Sequence, residues 1–81
     1  MPRRADEEQW QYMDRMVSLA RRILAYACEP DSPEVFYFRD VAFELSVDEA
    51  DVAVACHTVT FTQEAITHDR FFFLKMPPSA R

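Results

Sequence analysis

The chain has no glycine among its 81 residues, and this absence restricts its turns more than any other feature of the sequence. Glycine is the residue that most readily takes positive φ values, so each turn here must be made by Pro, Asp, Ser or His. Prolines at positions 30, 33, 77 and 78 mark the two clearest interruptions. We therefore expect short, conformationally restricted connections between elements.

Size and composition predict one small folded domain. Hydrophobic residues make up 49% of the chain, which is enough for a core and argues against disorder. The formal net charge of −5 is unevenly spread: residues 1–28 carry five basic and four acidic side chains, whereas residues 29–81 carry four basic and ten acidic ones. Such acidity disfavours non-specific binding to nucleic acid and to anionic membranes.

We expect a cytoplasmic protein. The sequence has neither an apolar run of membrane-spanning length nor the apolar core of a signal peptide. Cys28 and Cys56 lie within apolar helical patterns. A disulfide between them is one alternative, and we favour two buried thiols in a reducing compartment.

The first long helix is predicted at residues 6–28, after a flexible basic tip at 1–5. Asp6 and Gln9 resemble a capping box, and the acidic residues that follow Asp6 suit the positive end of the helix dipole. An apolar stripe then repeats at spacings of three and four residues: Trp10, Met13, Val17, Ala20, Leu24 and Ala27, with Met16 and Ile23 beside it. We predict that this stripe faces the core and that Trp10 is buried at one end of it.

Shorter elements are predicted over residues 35–75, followed by a flexible tail at 77–81. Residues 35–38 have the β-branched and aromatic side chains typical of a strand, and residues 39–45 predict a two-turn helix. Ser46, followed three residues later by Glu49, predicts a second capping box and a helix that extends to residue 60. Residues 65–67 and 70–75 predict two strands joined by a hairpin turn at His68 and Asp69.

Two faces of this third predicted helix compete for the core. One consists of Val52, Ala55, Cys56 and Val59, and the other of Ala50, Val54, His57 and Phe61. Both fit the helical spacing of a buried face. Whichever face turns outward therefore leaves apolar side chains in solvent.

The predicted order within residues 6–76 is helix, short strand, helix, helix and a two-stranded wing, which is an α+β fold. This order resembles the winged helix-turn-helix superfamily, and the resemblance implies a DNA-binding role. Within that superfamily, the aromatic-Tyr-aromatic-x-Asp pattern at residues 36–40 resembles the small winged-helix protein that accompanies dissimilatory sulfite reductase. Small acidic phage proteins that block host nucleic-acid machines, anti-CRISPR inhibitors among them, are similar in size and charge.

The candidate DNA-reading helix is acidic, however. Residues 40–69 contain seven carboxylates and neither Lys nor Arg, whereas a helix in the major groove needs cationic or amide donors. Arg39, Arg70 and Lys75 are candidate phosphate contacts, and Arg3 and Arg4 would form a basic arm. A DNA-binding transcriptional regulator is therefore the alternative hypothesis.

Our first hypothesis is a non-enzymatic regulator or inhibitor that binds a protein partner with a basic surface. Asp48, Glu49 and Asp51 would steer the encounter. The predicted contact residues are Val54, His57, Thr58 and Phe61. If the partner itself binds nucleic acid, the acidic residues would compete for its phosphate site.

The sequence predicts no catalytic residue, cofactor or metal site. Cys56 and His57 are adjacent on a predicted helix, so their side chains diverge by about a hundred degrees and cannot easily share an ion. His68 and Asp69 fall in the predicted turn, without a Ser or Cys nucleophile at motif spacing.

The strands predicted at residues 35–38 and 70–75 carry apolar side chains on both faces. One helical layer covers only one face, so the second face needs another cover. We predict a homodimer that buries Phe72 and Leu74, because two-fold pairing is the commonest arrangement of soluble oligomers. The alternative is that the first helix folds across the second face.

Overall fold

The computed structural model describes residues 8–76, which form an α+β domain with four helices and a three-stranded antiparallel sheet. Along the chain these elements are α1 (Gln9–Ala27), β1 (Phe36–Tyr37), α2 (Phe38–Leu45), α3 (Glu49–Ala55), α4 (Val59–Thr62), β2 (Ala65–Thr67) and β3 (Phe71–Leu74). The predicted basic tip at 1–5, with Arg3 and Arg4, and the predicted tail at 77–81 lie outside the described residues. Within residues 8–76, no helix combines the length and hydrophobicity that crossing a membrane requires.

The helix α1 begins two to three residues later than predicted. Its N-cap is Glu8, whose backbone N–H donates to Oε1 of Gln11 at 2.9 Å. The predicted cap residue Asp6 lies outside the described residues. Glu8 and Gln11 thus form the capping box that the sequence placed at Asp6 and Gln9.

The face of α1 that packs on the core agrees only in part with the predicted stripe, since Ala20 and Ala27 are buried with the flanking Met16 and Ile23. The buried residues are Tyr12, Met16, Leu19, Ala20, Ile23 and Ala27. Trp10 is 68% exposed and Met13 is also exposed, so the prediction that Trp10 is buried was wrong. The helix has two neighbouring apolar stripes, and periodicity alone does not say which of them the rest of the chain covers.

Ser46 ends α2 rather than beginning α3. It is the C-cap residue of α2 in the left-handed region, with φ 57° and ψ 46°. The Val47 N–H donates to the Ala42 carbonyl at 3.0 Å, which is the hydrogen bond that closes a helix at a left-handed cap. Since the chain has no glycine, serine takes this position, and Asp48 becomes the N-cap of α3.

The helix predicted to extend to residue 60 is two helices. The first, α3, ends at Ala55, and α4 begins at Val59 after the N-cap Thr58. Oγ1 of Thr58 accepts a hydrogen bond from the Phe61 N–H at 3.3 Å. This cap changes the direction of the chain, so Val59 is exposed and Phe61 packs in the core. The burial of Phe61 is contrary to its prediction as a contact residue.

The sheet has the strand order β1-β3-β2, so β3 is central and not an edge strand. Phe72 pairs with Phe36 of β1 and with Thr67 of β2. The His68 N–H donates to the Phe71 carbonyl at 2.8 Å. The turn residues are therefore Asp69 and Arg70, one position later than predicted.

The inner face of the sheet packs on the helices. The Phe72 ring lies 4.7 Å from the Phe61 ring and 5.1 Å from the Phe36 ring, measured between centroids. Phe72 and Leu74 are both buried within the domain. The predicted dimer contact through these two residues was therefore wrong, because the helices of the same chain already cover them.

Candidate interaction surfaces

The first surface is an acidic one at the start of α3, which we define by Asp48 and Glu49. Asp48 is the N-cap and Glu49 the first helical residue, and both side chains are exposed. Carboxylates are favoured at this end of a helix because they face the positive end of its dipole. The two carboxylates therefore do not destabilise α3, and they present two negative charges to solvent.

Asp51 does not belong to this acidic surface, although the sequence suggested that it would. Its Oδ2 lies 3.1 Å from Nη1 of Arg15, and the two side chains are only 13% and 24% exposed, respectively. The pair joins α1 to α3. Its charge is thus compensated within the protein, and its role is to hold two helices together.

The residues predicted to form the apolar contact are divided between surface and core. His57 is exposed, Val54 is half-buried against the core, and Phe61 is fully buried. Thr58 is half-buried and uses its hydroxyl to cap α4. Val59 is exposed and was not among the predicted contact residues, because the break between α3 and α4 has no strong signal beyond Thr58 itself.

Two of the three candidate phosphate contacts come together. The Phe38 N–H donates to the Arg70 carbonyl at 2.9 Å, and this bond places Arg39 close to Arg70. Both arginines line a groove of about 570 Å³ with Tyr37, Glu49 and Asp69. The groove thus holds two cations and two carboxylates, and its formal charge is balanced.

The third candidate, Lys75, lies at the opposite end of β3. Its N–H donates to the Glu64 carbonyl at 3.0 Å, and its side chain is exposed. It is therefore not part of the groove that holds Arg39 and Arg70. The three cations do not form one continuous basic patch.

The second surface is the outer face of the sheet, which we define by Tyr37, Ile66, Phe71 and Phe73. The strand register pairs Tyr37 with Phe71 and Ile66 with Phe73, so all four side chains project away from the inner face. Tyr37 is 49% exposed and Ile66 41%, while Phe71 and Phe73 are half-buried.

Ring contacts make this outer face continuous. The centroids of Tyr37 and Phe71 are 5.8 Å apart. The His68 ring stacks at 4.8 Å on Phe71 and at 5.7 Å on Phe73. Four rings from three segments thus form one band, and the sequence signal for it was the presence of apolar side chains on both faces of β3.

The cysteines and histidines of the described residues are the side chains to consider for catalysis. Both cysteines are free, and burial raises the pKa of the Cys56 thiol to about 12, so it is not a thiolate nucleophile at neutral pH. His57, His68 and Asp69 line a shallow cleft of about 480 Å³. The one hydroxyl there belongs to Thr67, and it donates to the Cys56 carbonyl at 3.2 Å.

Metal binding has no support in the described part of the chain. Among residues 8–76, no three His, Cys, Asp or Glu side chains come together in a way that would hold an ion. Carboxylate, imidazole and thiolate groups are the ligands such a site requires.

Comparison of the chain with protein-family models, with curated proteins and with solved structures gave no match. Function is therefore inferred from the two surfaces described above.

Proposed function

We propose that the chain is a non-enzymatic protein-binding regulator or inhibitor built as a small winged helix. The element order and the sheet order support this proposal. A helix, a short strand and three further helices, the last of them the single turn α4, precede a hairpin, and β1 pairs with the second strand of that hairpin. In that arrangement α3 takes the place of the DNA-reading helix.

The observation that carries the proposal is the charge of α3. Asp48 and Glu49 are exposed at its N-terminal end, which is the end that a recognition helix points toward base edges. Residues 40–69 contain neither Lys nor Arg. Two carboxylates at this position repel phosphate, whereas they attract Lys and Arg on a protein surface.

The partner that fits is therefore a protein with a basic surface. If that basic surface normally binds nucleic acid, Asp48 and Glu49 occupy the place of phosphate groups, and the protein acts as a competitive inhibitor. His57 and Val59, which are exposed where α3 ends and α4 begins, supply apolar and polar contacts beside the two carboxylates.

One observation favours the alternative, a DNA-binding regulator. Arg39 and Arg70 share a groove with the exposed ring of Tyr37, which is a suitable pairing for a phosphate and an adjacent sugar or base. Glu49 and Asp69 line the same groove, however, and they cancel its charge. The alternative therefore ranks second.

Capture from a native lysate at low salt tests the proposal. We expect wild-type protein to retain a basic partner and the double variant Asp48→Lys/Glu49→Lys to lose it. The matched control is Glu29→Lys/Asp31→Lys, which changes the net charge equally at two exposed residues of the α1–β1 connection. Equal recovery with all three proteins would contradict the role of α3.

Release by a soluble polyanion separates an inhibitor from a general protein binder. If the partner contacts Asp48 and Glu49 through its phosphate site, added heparin should displace the protein from it. Heparin-resistant binding that still depends on Asp48 and Glu49 would place the contact on another basic surface of the partner.

A titration of labelled duplex DNA addresses the alternative. At about 50 mM salt, where phosphate contacts are strongest, we expect no change in fluorescence anisotropy. A rise that disappears with increasing salt, and that Arg39→Ala/Arg70→Ala abolishes, would instead establish DNA binding through the Tyr37 groove.

A further inference from the structure

Phe43 is the most exposed large apolar side chain within residues 8–76, at 82%. It lies on α2, whose buried residues are Phe38, Val41 and Ala42. Successive residues of a helix are about 100° apart, so Phe43 projects from the far side of α2, away from these three. A single exposed apolar residue is common on a protein surface, but this ring adds nothing to the core.

Carboxylates surround Phe43 along the chain. The segment 40–49 has neither Lys nor Arg, and its four carboxylates are all exposed: Asp40, Glu44, Asp48 and Glu49. Nε of Arg39 lies 4.0 Å from Oδ1 of Asp40, with both side chains mostly in solvent. That pair compensates at most one of the four charges, so Phe43 lies in a region of net negative charge.

The turn after α2 fixes Phe43 relative to the start of α3. The Ser46 N–H donates to the Phe43 carbonyl at 3.3 Å, and the Val47 N–H donates to the Ala42 carbonyl at 3.0 Å. The next residue, Asp48, is the N-cap of α3. The aromatic side chain and the acidic surface therefore belong to one helix–turn–helix unit.

A shared groove places Phe43 at the N-terminal end of α3 and not at its other end. Arg39 is one turn before Phe43 on the same side of α2, and it lines a groove with Glu49. Val59 lies beyond the opposite end of α3, which is about 10 Å long as a helix of seven residues. Phe43 is thus the exposed apolar residue nearest to the acidic surface.

We propose that Phe43 is the apolar anchor of the partner contact and that it enters an apolar pocket bordered by Lys and Arg on the partner protein. This inference rests on the function proposed above and names the surface that the partner must present. Exposed carboxylates act mainly on the association rate, whereas a few aromatic side chains in pockets supply most of the binding energy of an interface. The carboxylates around Phe43 contact the basic border of the pocket.

Two labelled synthetic peptides probe this surface without the natural partner. The first is an amphipathic helix of leucine and lysine, which presents an apolar face between rows of ammonium groups. The second has serine in place of every leucine and carries the same charge. In fluorescence anisotropy titrations at low salt, the wild-type protein should bind the leucine peptide about tenfold more tightly than the serine peptide, a difference typical of one anchor residue.

Substitution of Phe43 tests whether this preference depends on its ring. Phe43→Ser should raise the Kd for the leucine peptide about tenfold and leave the Kd for the serine peptide unchanged. Phe43→Leu keeps an apolar side chain and should retain most of the preference. Far-UV circular dichroism checks that each variant is folded, as expected for an exposed site.

The matched control is Trp10→Ser, which removes a ring that is 68% exposed. Arg22 of α1 donates to the Leu45 carbonyl at the end of α2 at 3.4 Å. Trp10 lies twelve residues earlier on α1, which is about 18 Å along the helix. It is therefore remote from Phe43, and its removal should change neither Kd.

Three results would overturn the proposal. The first is equal affinity of the wild-type protein for the two peptides. The second is a loss of the preference in Trp10→Ser as large as that in Phe43→Ser, which would show that any exposed ring suffices. The third is sedimentation of wild type, but not of Phe43→Ser, with phosphatidylcholine vesicles, which would assign the ring to a membrane surface.

The charge variant separates this proposal from the one on which it rests. Asp48→Lys/Glu49→Lys should weaken the binding of both peptides, because both are equally basic. If this variant binds them as wild type does, the function proposed for α3 fails. If the variant loses binding while Phe43→Ser binds both peptides as wild type does, only the role of Phe43 fails.

Discussion

The two faces of β3 should respond very differently to the same substitution. Phe72 is fully buried and its ring contacts those of Phe36, Phe38 and Phe61 at centroid distances of 5.1, 6.5 and 4.7 Å. Its neighbour Phe73 points to the outer face and is half-buried. Leucine at either position removes an aromatic ring and leaves a side chain suited to a strand.

The expected magnitudes follow from these contacts. Each aromatic pair contributes about 0.5–1.5 kcal/mol beyond its buried area, and leucine leaves part of the ring volume empty. We therefore expect Phe72→Leu to lower the free energy of unfolding by about 2 kcal/mol. Phe73→Leu should lower it by about 0.5 kcal/mol or less, as is usual for partly exposed sites.

Urea unfolding followed by circular dichroism measures both variants. The protein should be kept at low micromolar concentration, so that self-association does not add to the apparent stability. In a thermal scan, the Phe72→Leu loss corresponds to a decrease in Tm of roughly 10 °C for a domain of this size. Equal losses for the two variants, or a larger loss for Phe73→Leu, would refute the assignment of inner and outer faces.

Three further substitutions test single structural assignments. Ser46→Gly should raise the Tm and stabilise the fold by about 0.5 kcal/mol or more, because glycine takes the left-handed backbone conformation at φ 57° without strain. A loss of stability would instead support the predicted role of Ser46 as an N-cap. Trp10→Ala should cost less than about 1 kcal/mol in urea unfolding, as an exposed site does, rather than the roughly 3 kcal/mol of a buried one. Iodoacetamide should label Cys28 in the native state but Cys56 only on unfolding. Burial raises the Cys56 pKa to about 12. The contribution of this thiol to stability is therefore complete below about pH 8.5, and it decreases by up to about 1.4 kcal/mol per pH unit as the pH rises toward 12. A stability difference between wild type and Cys56→Ala that does not change over this range would contradict the burial of Cys56.

The sequence predicted the existence and order of most elements because their signals are local. The proline-rich break, the aromatic run before α2 and the hairpin each depend on a few adjacent residues. β2 was predicted at its observed bounds, and β3 to within one residue at each end. The α+β class is confirmed, and the pairing of β1 with β3 was not predicted because it joins residues far apart in the chain.

Errors arose where two local signals competed. Ser46 and Glu49 have the spacing of a capping box, but without glycine the chain needed Ser46 to close α2. Thr58 and Phe61 lie within a helical apolar pattern, yet Thr58 caps a new helix. In both cases a Ser or Thr could occupy either of two positions relative to a helix, and the packing of the neighbouring helix determined which position it occupies.

The role of Asp51 in the fold differs from the one that its position in the sequence predicts, because it pairs with a residue distant in the chain. From the sequence it is equivalent to Asp48 and Glu49, since all three lie near one helix start. In the fold it pairs with Arg15, which is 36 residues away in the chain, and is 13% exposed. Removing one partner of such a part-buried pair leaves the other uncompensated, which costs stability.

Asp51 must therefore be tested separately from Asp48 and Glu49 in any binding experiment on α3. Reversing Asp51 would weaken the α1–α3 contact and lower partner binding through partial unfolding, so a loss of binding there would carry no information about the interface. Asp48 and Glu49 are exposed. Reversing their charges changes the electrostatic field around α3 while leaving the core intact. Their effect should appear mainly in the association rate and should decrease as salt is added, since that is how exposed charges act at an interface. A salt-independent loss of binding in Asp48→Lys/Glu49→Lys would mean that these residues make direct buried contacts, and that α3 enters the partner rather than steering toward it.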